Sequence, residues 1–351
     1  MTVSRQAANI FDVAREAGVS IATVSRHINN SGYVSAENRV RIERAIRTLD
    51  FTPSISARSL NTRRSHVVGL VVSSIAHPYS AEVARGLQDV ATAAGYVVSI
   101  LSTDGVAEQQ VAALRMLHGH RVDAVIATPP ESQQSDRYLE QLARRGIVVV
   151  LIGRHLPDPR VDTVTTDTGG GAAAAMEHLI GLGHRRIGFL GGPAPRGSRF
   201  RVYRELLEQQ GTFDEALALP TDLTLEGGQR AMRALLGREP RPTAVFCIDD
   251  LVAIGALRAA TEAGLRVPDE LSIVGFDDDV YARLVEPPLT TVAQPSFEIG
   301  QLAAERALLR LRARTGDPAP DELAKEVIRL PCQLIVRRST GPASPALAAG
   351  R

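Results

Sequence analysis

The sequence predicts an N-terminal all-α helix-turn-helix head, a hinge, and a two-lobed α/β core built on parallel sheets. Residues 1–51 carry short helical patterns without strands, whereas from His66 onward strand-like runs alternate with helical patterns. Nearly continuous Val/Ile runs such as 67–72 are typical of strands that are buried on both faces. Their alternation with helices indicates βαβ units and a parallel sheet. About 270 residues of this pattern exceed one sheet, so two lobes are expected.

The core pattern can be followed along the chain. The strand-like runs occupy 67–72, 96–101, 122–128, 146–152, 186–192, 243–249 and 271–277. The helical patterns occupy 80–94, 107–119, 169–182, 226–237, 251–263 and 297–314. Between head and core, residues 53–65 are polar and begin with proline, which indicates a linker.

The composition excludes several classes of protein. Each of the two cysteines, Cys247 and Cys332, stands alone in an apolar strand-like stretch, which favours a buried small side chain over a disulfide or a metal site. Met1–Asn9 is polar and does not resemble a secretory signal. The most apolar run, 147–152, is far shorter than the roughly 20 residues of a membrane span. The sequence therefore predicts a cytoplasmic protein without a membrane partner.

The charge is unevenly distributed. Residues 1–65 contain ten arginines and five acidic residues, which makes this segment +5, while the net charge of the whole chain is only +1. The remainder is therefore −4. A basic head on a mildly acidic body indicates a module that binds a polyanion. Charge alone leaves a solvated basic surface equally open.

Residues 11–29 have the spacing of a helix-turn-helix. Asp12 is expected to cap a first helix, and Gly18 supplies the positive φ that ends it. Ser20 can cap a second helix, which buries Val24. Small and branched residues at this spacing let two helices cross closely. A generic three-helix domain is the alternative interpretation.

The second helix is expected to expose Ile21, Ala22, Ser25 and Arg26 towards its N-terminal end. That end of a recognition helix meets base edges in the major groove. Arginine can contact guanine with two hydrogen bonds, and small apolar side chains can touch a thymine methyl group. A third helix is expected to begin at Ser35 and to offer further arginines to phosphate. Together with the basic charge, this face favours DNA binding.

Longer motifs resemble the lactose/galactose repressor (LacI/GalR) family over nearly the whole chain. The head motif is DVAREAGVSIATVSRHINNSGYVSAENRVRIERAIRTLDFTP, and the linker motif is SARSLNTRRSHVVGLV. The core motifs are EHLIGLGHRRIGFLGG, PTAVFCIDDLVAIGALRAATEAGLRVPDELSIVGFDDD and PPLTTVAQPSFEIG. Several long motifs in the same order make a chance likeness implausible. The resemblance implies a core of the periplasmic-binding-protein type, in which the chain crosses between lobes three times.

The resemblance also implies the domain boundaries. The head is expected at 1–52, the hinge at 53–65, the core at 66–338 and a flexible tail at 339–351. Within the core, the N-lobe is expected at about 66–165 and 295–325, and the C-lobe at about 166–294 and 326–338.

By the same resemblance, residues 54–62 form a hinge segment that becomes helical on operator DNA. Leu60 would then insert into the minor groove and kink the duplex; on the residues alone, a shielded linker side chain is the simpler reading. The residues expected to contact DNA are Ser20, Ile21, Ala22, Thr23, Ser25, Arg26, Ser35, Arg58 and Leu60.

An effector site is expected in the cleft at the carboxyl ends of the core strands. Asp249 and Asp277 each end a strand-like run, Asp167 follows another, and Arg199 opens a helical pattern. Two or three carboxylates with one arginine suit the hydroxyl groups of a sugar or a polyol. The resemblance places effector contacts at Arg199, Asp249 and Asp277, a cleft-rim aromatic at Tyr79, and a further cleft position at Gln294.

Each of these residues also has a purely structural interpretation. Asp249 and Asp277 could cap the following helices, Arg199 could lie on the surface, and Tyr79 could be an ordinary interface aromatic. Two departures from the family pattern bear on the ligand: Val202 replaces a glycine, and Asp249-Asp250 replaces the more frequent Asn-Asp. A specific sugar therefore cannot be carried over.

The resulting hypothesis is a homodimeric transcription regulator, a repressor, that binds a pseudo-palindromic operator under the control of a sugar, sugar acid or polyol. A cytoplasmic solute-binding receptor without a DNA role is the alternative, but the basic head argues against it. An enzyme is disfavoured because the sequence offers no catalytic constellation, and it predicts neither a cofactor nor a metal site. The tail after Arg338 lacks heptads, which favours a dimer over a tetramer.

Overall fold

A computed structural model describes residues 8–29, 32–51, 64–128, 132–191, 197–313 and 324–344. Two of the expected DNA contacts, Arg58 and Leu60, lie outside these residues, as do most of the hinge and the end of the tail. By its internal contacts the chain divides into two compact units. The first extends to His66 and includes Arg121–Asp123, and the second contains the remaining residues.

The head contains three helices: α1 (Ile10–Ala17), α2 (Ile21–Asn29) and α3 (Ala36–Thr48). Their inward faces form one small core. This core consists of the buried residues Val13, Ala14, Ala17, Val24, Val34, Ile42 and Ala45. The head has no strand among its described residues, as the sequence predicts.

The helix boundaries in the head follow from capping. Asn9, not Asp12, is the N-cap of α1: its side chain accepts hydrogen bonds from two backbone N–H groups. Asp12 lies at the third helical position and accepts from the Asn9 N–H at 3.0 Å, which completes a capping box. The expectation that Asp12 caps the helix is therefore wrong by one turn. Gly18 ends α1 with φ of 62°, as predicted.

The first lobe of the core contains a six-stranded sheet. Its strands are β1 (Val67–Val72), β2 (Val97–Ser102), β3 (Ala124–Ala127), β4 (Val148–Ile152), β5 (Val161–Thr166) and β11 (Val327–Leu330), in the order β11-β5-β4-β3-β1-β2. All neighbours in this sheet are parallel. The helices of this lobe are α4 (Pro78–Ala93), α5 (Ala107–Gly119), α6 (Gln133–Arg144) and α11 (Ser296–Ala313).

The second lobe repeats this architecture. Its strands are β6 (Ile187–Leu190), β7 (Ala218–Leu219), β8 (Ala244–Cys247), β9 (Ser272–Asp277), β10 (Thr290–Ala293) and β12 (Gln333–Ile335), in the order β12-β10-β9-β8-β6-β7. The sheet is parallel except for β12, which pairs antiparallel with β10. Its helices are α7 (Thr168–Gly181), α8 (Ser198–Gln209), α9 (Leu225–Leu236) and α10 (Asp250–Glu262). The predicted α/β class with two sheets is thereby confirmed.

The chain passes between the two sheets at three places, after β5, after β10 and after β11. The last passage corrects the expectation that 326–338 belongs wholly to the C-lobe, because β11 pairs with β5 in the first sheet. Within 326–338, it is β12 and the residues after it that lie in the second lobe. The short strand β11 is largely exposed at the sheet edge, so it lacks the apolar run that marks the inner strands.

A buried carboxylate holds together the two strands from which the chain passes out of the first lobe. Asp162, on β5, is fully buried and accepts hydrogen bonds from Arg306 at 2.9 Å and from Arg310 at 2.6 Å, both on α11. It also accepts from the backbone N–H of Glu326, just before β11, at 2.9 Å. Burial alone raises the pKa of Asp162, but these hydrogen bonds reverse the direction and lower it. The carboxylate therefore stays charged and joins three separate segments.

Close helix packing in each lobe depends on glycine. A Cβ atom on Gly86 of α4 would lie 2.0 Å from the carbonyl oxygen of Phe297, and one on Gly300 of α11 would lie 2.1 Å from that of Val83. In the second lobe, Gly228 of α9 and Gly255 of α10 have equally close backbone neighbours. These four positions let each helix pair pack backbone against backbone.

We expect Gly86→Ala to lower the free energy of unfolding by about 1–3 kcal/mol, because the added methyl group collides with backbone that cannot move freely. This loss opposes the gain of up to about 1 kcal/mol that alanine brings to a helix interior. Gly119→Ala in α5 is the matched control, because its Cβ would meet open space. Urea denaturation measures both; equal stability of the two variants would contradict the packing argument.

Candidate nucleic-acid interface and effector site

Helix α2 presents most of the side chains that the sequence singles out. Ile21, Ala22 and Arg26 are exposed, whereas Ser25 and Thr23 are half-buried. Because Val24 is fully buried against the other head helices, the opposite side of α2 faces outward. Ile21 and Ala22 lie in the first turn, but Arg26 lies in the last turn of this short helix, so the expectation that Arg26 lies towards the N-terminal end is wrong. An exposed arginine one turn from small apolar side chains on a helix can still contact base edges.

Two of the expected DNA contacts also hold helix ends in place. The Ser20 hydroxyl oxygen accepts from the Thr23 N–H at 3.1 Å and lies 2.8 Å from the Thr23 hydroxyl group. Ser35 is the N-cap of α3, and its side chain accepts from the Asn38 N–H at 3.4 Å. The predicted capping by both serines is therefore observed, and it fixes how α2 and α3 begin.

The candidate effector site lies at the carboxyl ends of β8 and β9. Asp249 is the N-cap of α10, where it accepts from the Val252 N–H at 2.8 Å and is only 3% exposed. Asp277 is the last residue of β9, has φ of 112° and is 7% exposed. A non-glycine residue at such a φ is strained, and strain of this kind is concentrated at functional sites.

Arg199 lies between these two strand ends. Its guanidinium donates to the carbonyl oxygen of Ile248 at 2.5 Å and stacks over the Phe276 ring, 4.6 Å from the ring centroid. Both partners directly precede the aspartates of the site. The guanidinium is therefore held by packing and a backbone acceptor, beside the carboxylates rather than locked into an ion pair with one of them.

A relay of side chains connects two of the crossings between lobes. Gln294, just after β10, donates to Asp277 at 2.6 Å and accepts from the hydroxyl group of Thr166, at the end of β5, also at 2.6 Å. Gln294 thus joins the end of β5 to the end of β9. Thr166 was missed by the sequence analysis, because the end of a crossing strand has no signature in the local pattern.

Two side chains of the first lobe reach the same site. His77 is the N-cap residue of α4, and its Nε2 atom lies 3.3 Å from Oδ2 of Asp249. Tyr79, two residues later, is half-buried; burial and the charge of Asp277 raise its pKa, while Arg199 opposes this. Tyr79 is therefore close enough to the aspartate and the arginine for their charges to act on it. The sequence analysis missed His77, although it quoted the motif that contains it.

Asp167 takes a different position. It is exposed and is the N-cap of α7, where its carboxylate accepts from the Gly170 N–H at 3.0 Å. Its neighbour Thr168 hydrogen-bonds the hydroxyl of Ser198, the residue before Arg199, at 2.6 Å. Asp167 thus lies at the first crossing between the lobes, with its carboxylate committed to a helix start.

Burial governs the electrostatics of the site. Burial raises the pKa of Asp277 to about 7, helped by the nearby Asp249 and opposed by Arg199, His77 and the Gln294 hydrogen bond. Asp250 is fully buried and also has a raised pKa, chiefly through burial. It accepts from the Asp279 N–H at 2.8 Å and from the Thr291 hydroxyl at 2.5 Å. Asp250 therefore shapes the loop that follows Asp277.

Two further findings concern the described part of the chain. None of its helices is long and apolar enough to cross a membrane. Its residues also contain no group of three His, Cys, Asp or Glu side chains arranged to hold a metal ion.

Comparison with known proteins assigns both units. The family model of bacterial regulatory proteins of the lacI family matches residues 9–54, and that of a periplasmic binding protein-like domain matches 176–340. The HTH-type transcriptional regulator DegA of Bacillus subtilis (strain 168) is 37% identical over 338 residues, 95% of this chain and 98% of DegA.

Solved structures agree with these matches. The structure of the lac repressor dimer bound to operator and the anti-inducer ONPF has a TM-score of 0.81 at 26% identity, and covers 96% of this chain and 100% of the repressor chain. The complex of the transcriptional regulator CelR with cellobiose has a TM-score of 0.69 at 32% identity and covers 95% and 99%.

We expect Asp277→Asn to stabilise the protein at pH 8 much more than at pH 5. The pKa of this carboxyl is raised when the protein folds, so its folded form binds an extra proton between about pH 4 and 7, and stability is lost as the pH rises through that window. A change from 3.8 to about 7 corresponds to at most about 4 kcal/mol. Asparagine also tolerates a positive φ.

Urea denaturation at both pH values checks this expectation. The exposed Asp269→Asn is the control and should leave the pH dependence of wild type intact. An equal effect of Asp277→Asn at pH 5 and pH 8 would show that the buried carboxyl does not titrate between them.

Proposed function

The chain belongs to the lacI family of bacterial regulatory proteins, and from this premise we propose that it represses genes beside its operator under the control of a small effector. Two heads of a homodimer would read the two halves of a pseudo-palindromic site. The effector would bind between the lobes of the core. Since the operator lies on the chromosome, the proposed place of action is the cytoplasm.

The observation that carries the proposal is the meeting of side chains from both lobes at one site. Tyr79 and His77 come from the first lobe, and Arg199, Asp249 and Asp277 from the second. A ligand held by both groups prefers one arrangement of the lobes. It can therefore shift operator affinity by the difference between its affinities for the two states.

The chemistry of the site favours a polyhydroxylated ligand. Carboxylates of Asp249 and Asp277 accept hydrogen bonds from hydroxyl groups, while Arg199 and Gln294 can donate to ring or hydroxyl oxygens. Tyr79 offers an aromatic face to the apolar side of a sugar ring. We propose a sugar or a polyol; a sugar acid fits only if its carboxylate pairs with Arg199. Asp167 is proposed as a more peripheral contact.

On the head, we propose that Arg26 reads a base edge and that Ile21 and Ala22 contact neighbouring bases. The polar groups of Ser20, Thr23, Ser25 and Ser35 would position the helices on phosphates, which fix register without reading sequence. The family resemblance extends the interface to Arg58 and Leu60 of the hinge. We propose that binding of the effector lowers the affinity for the operator and so releases the protein from it.

Arg26→Ala should weaken binding to the preferred operator by roughly 10- to 100-fold, because one bidentate base contact contributes about 1–3 kcal/mol of discrimination. The operator is first selected from a random-sequence library with the full-length chain, and affinities are then measured by fluorescence anisotropy at one salt concentration. Arg115→Ala, an exposed arginine of the core, is the control. Unchanged affinity and selectivity of Arg26→Ala would refute the proposed reading residue.

A thermal-shift screen of monosaccharides, cellobiose, sugar acids, polyols and nucleobases should find a ligand that raises the melting temperature by mass action. The same ligand should change operator affinity in the anisotropy assay. Arg199→Gln should abolish both responses while ligand-free operator binding persists. Arg201→Gln is the control, because Arg201 lies on the same helix but is exposed and paired with Glu205; this variant should keep the thermal shift and the change in operator affinity. A ligand response that survives in Arg199→Gln would remove this arginine from the site.

A further inference from the structure

One contact of the effector site joins the two lobes directly. His77 begins α4 in the first lobe, Asp249 begins α10 in the second, and the imidazole Nε2 lies 3.3 Å from the carboxylate Oδ2. Their side chains are only 15% and 4% exposed, so water screens this pair weakly. The pair stands at the point where the N-termini of two helices approach one another across the cleft.

The two oxygens of Asp249 have separate tasks. Oδ1 accepts from the Val252 N–H and caps α10, which leaves Oδ2 directed towards the other lobe. His77 occupies an N-cap position but makes no side-chain hydrogen bond to its own helix. Its ring is therefore available to the partner lobe, and the contact is not a by-product of capping in either helix.

The surroundings of His77 favour its charged form. Burial opposes protonation, but the hydrogen bond with Asp249 and the charges of Asp277, Asp249 and Asp279 outweigh it and raise the pKa of His77. These carboxylates lie at the end of β9, at the start of α10 and in the loop after β9. One carboxylate oxygen of Asp279 is buried without a hydrogen-bond partner, which adds to the negative field around the imidazole.

We infer that His77 and Asp249 form a proton-dependent latch that ties the two lobes together at the mouth of the effector cleft. The latch itself is a property of the ligand-free protein. Only its effect on regulation rests on the proposed function, in which an effector binds in this cleft. An asparagine, more frequent in the family at this position, would give a neutral contact whose strength does not follow protonation in the same way.

The sign of the pH effect follows from the raised pKa. The stabilisation is fully present below the ordinary histidine value of 6.5 and is lost as the pH rises through the higher value of the folded protein. An effector that uses Oδ2 of Asp249 must displace the imidazole. Acidification therefore strengthens a contact that the effector has to break.

The test is a double-mutant cycle on the full-length, ligand-free protein with His77→Gln, Asp249→Asn and the double variant. Asparagine is a good N-cap, so Asp249→Asn keeps the start of α10. Thermal unfolding is followed at pH 5.5 and pH 8.5. We expect the two substitutions to be non-additive by roughly 1–4 °C at pH 5.5, because the large unfolding entropy of a chain of this size makes the melting temperature respond weakly to one pair, and additive at pH 8.5.

His178→Gln combined with Asp249→Asn is the matched control cycle. His178 is half-buried in the second lobe and hydrogen-bonds the Thr340 hydroxyl at 3.0 Å, and burial lowers rather than raises its pKa. This cycle should be additive at both pH values. Coupling between His77 and Asp249 that is absent at pH 5.5, or equal at the two pH values, would overturn the latch.

A second readout does not depend on the relative stabilities of the variants. The imidazole resonance of His77, assigned by its loss in His77→Gln, should titrate above pH 6.5 in wild type and at a lower pH in Asp249→Asn. The same midpoint in both proteins would contradict the latch. Both measurements are made without ligand, so a failed latch leaves the proposed effector function standing, and a failed ligand screen leaves the latch standing.

Discussion

The buried carboxylate of Asp162 is the constraint on which the geometry of the cleft depends. Through Arg306, Arg310 and the backbone of Glu326 it holds together α11 and the two strands from which the chain leaves the first lobe. A buried charge is tolerated only when its partners are well placed, and removing one partner leaves the other uncompensated. Because Thr166 is the last residue of β5, the position of the hydrogen bonds that connect it through Gln294 to Asp277 depends on this anchor.

Elements defined by local pattern were predictable, and contacts between distant segments were not. Each predicted strand-like run and helical pattern agrees with an observed strand or helix to within a few residues, because buried parallel strands need continuous apolar sequence. The helix α6 had no predicted pattern. Asp249 and Asp277 could be placed because parallel strands end at one edge of a sheet. By contrast, the exposed edge strand β11 carries no such run, so the lobe boundary near 326 was misplaced.

The contacts of the site residues also could not be predicted from local sequence pattern. That Asp249 lies near His77 depends on how the lobes meet, and no spacing along the chain encodes a contact between residues 172 positions apart. The sequence also could not decide whether Asn9 or Asp12 is the N-cap of α1, because both are good capping residues and they lie three positions apart. The site itself concentrates buried acids and strained backbone, features that cost stability and are retained where binding requires them.

The glycine contacts within the helix pairs have a mechanical consequence for signalling. At the glycines where α4 meets α11 and α9 meets α10, backbone rests on backbone, so no adaptable side chain separates the helices there to absorb a displacement. Each lobe must then move as a stiff body. Any rearrangement imposed by a ligand is concentrated in the few peptide units at 167, 294–295 and 331–332, where the chain passes from one sheet to the other. Backbone torsion at those three points is the mechanical variable that an effector can change.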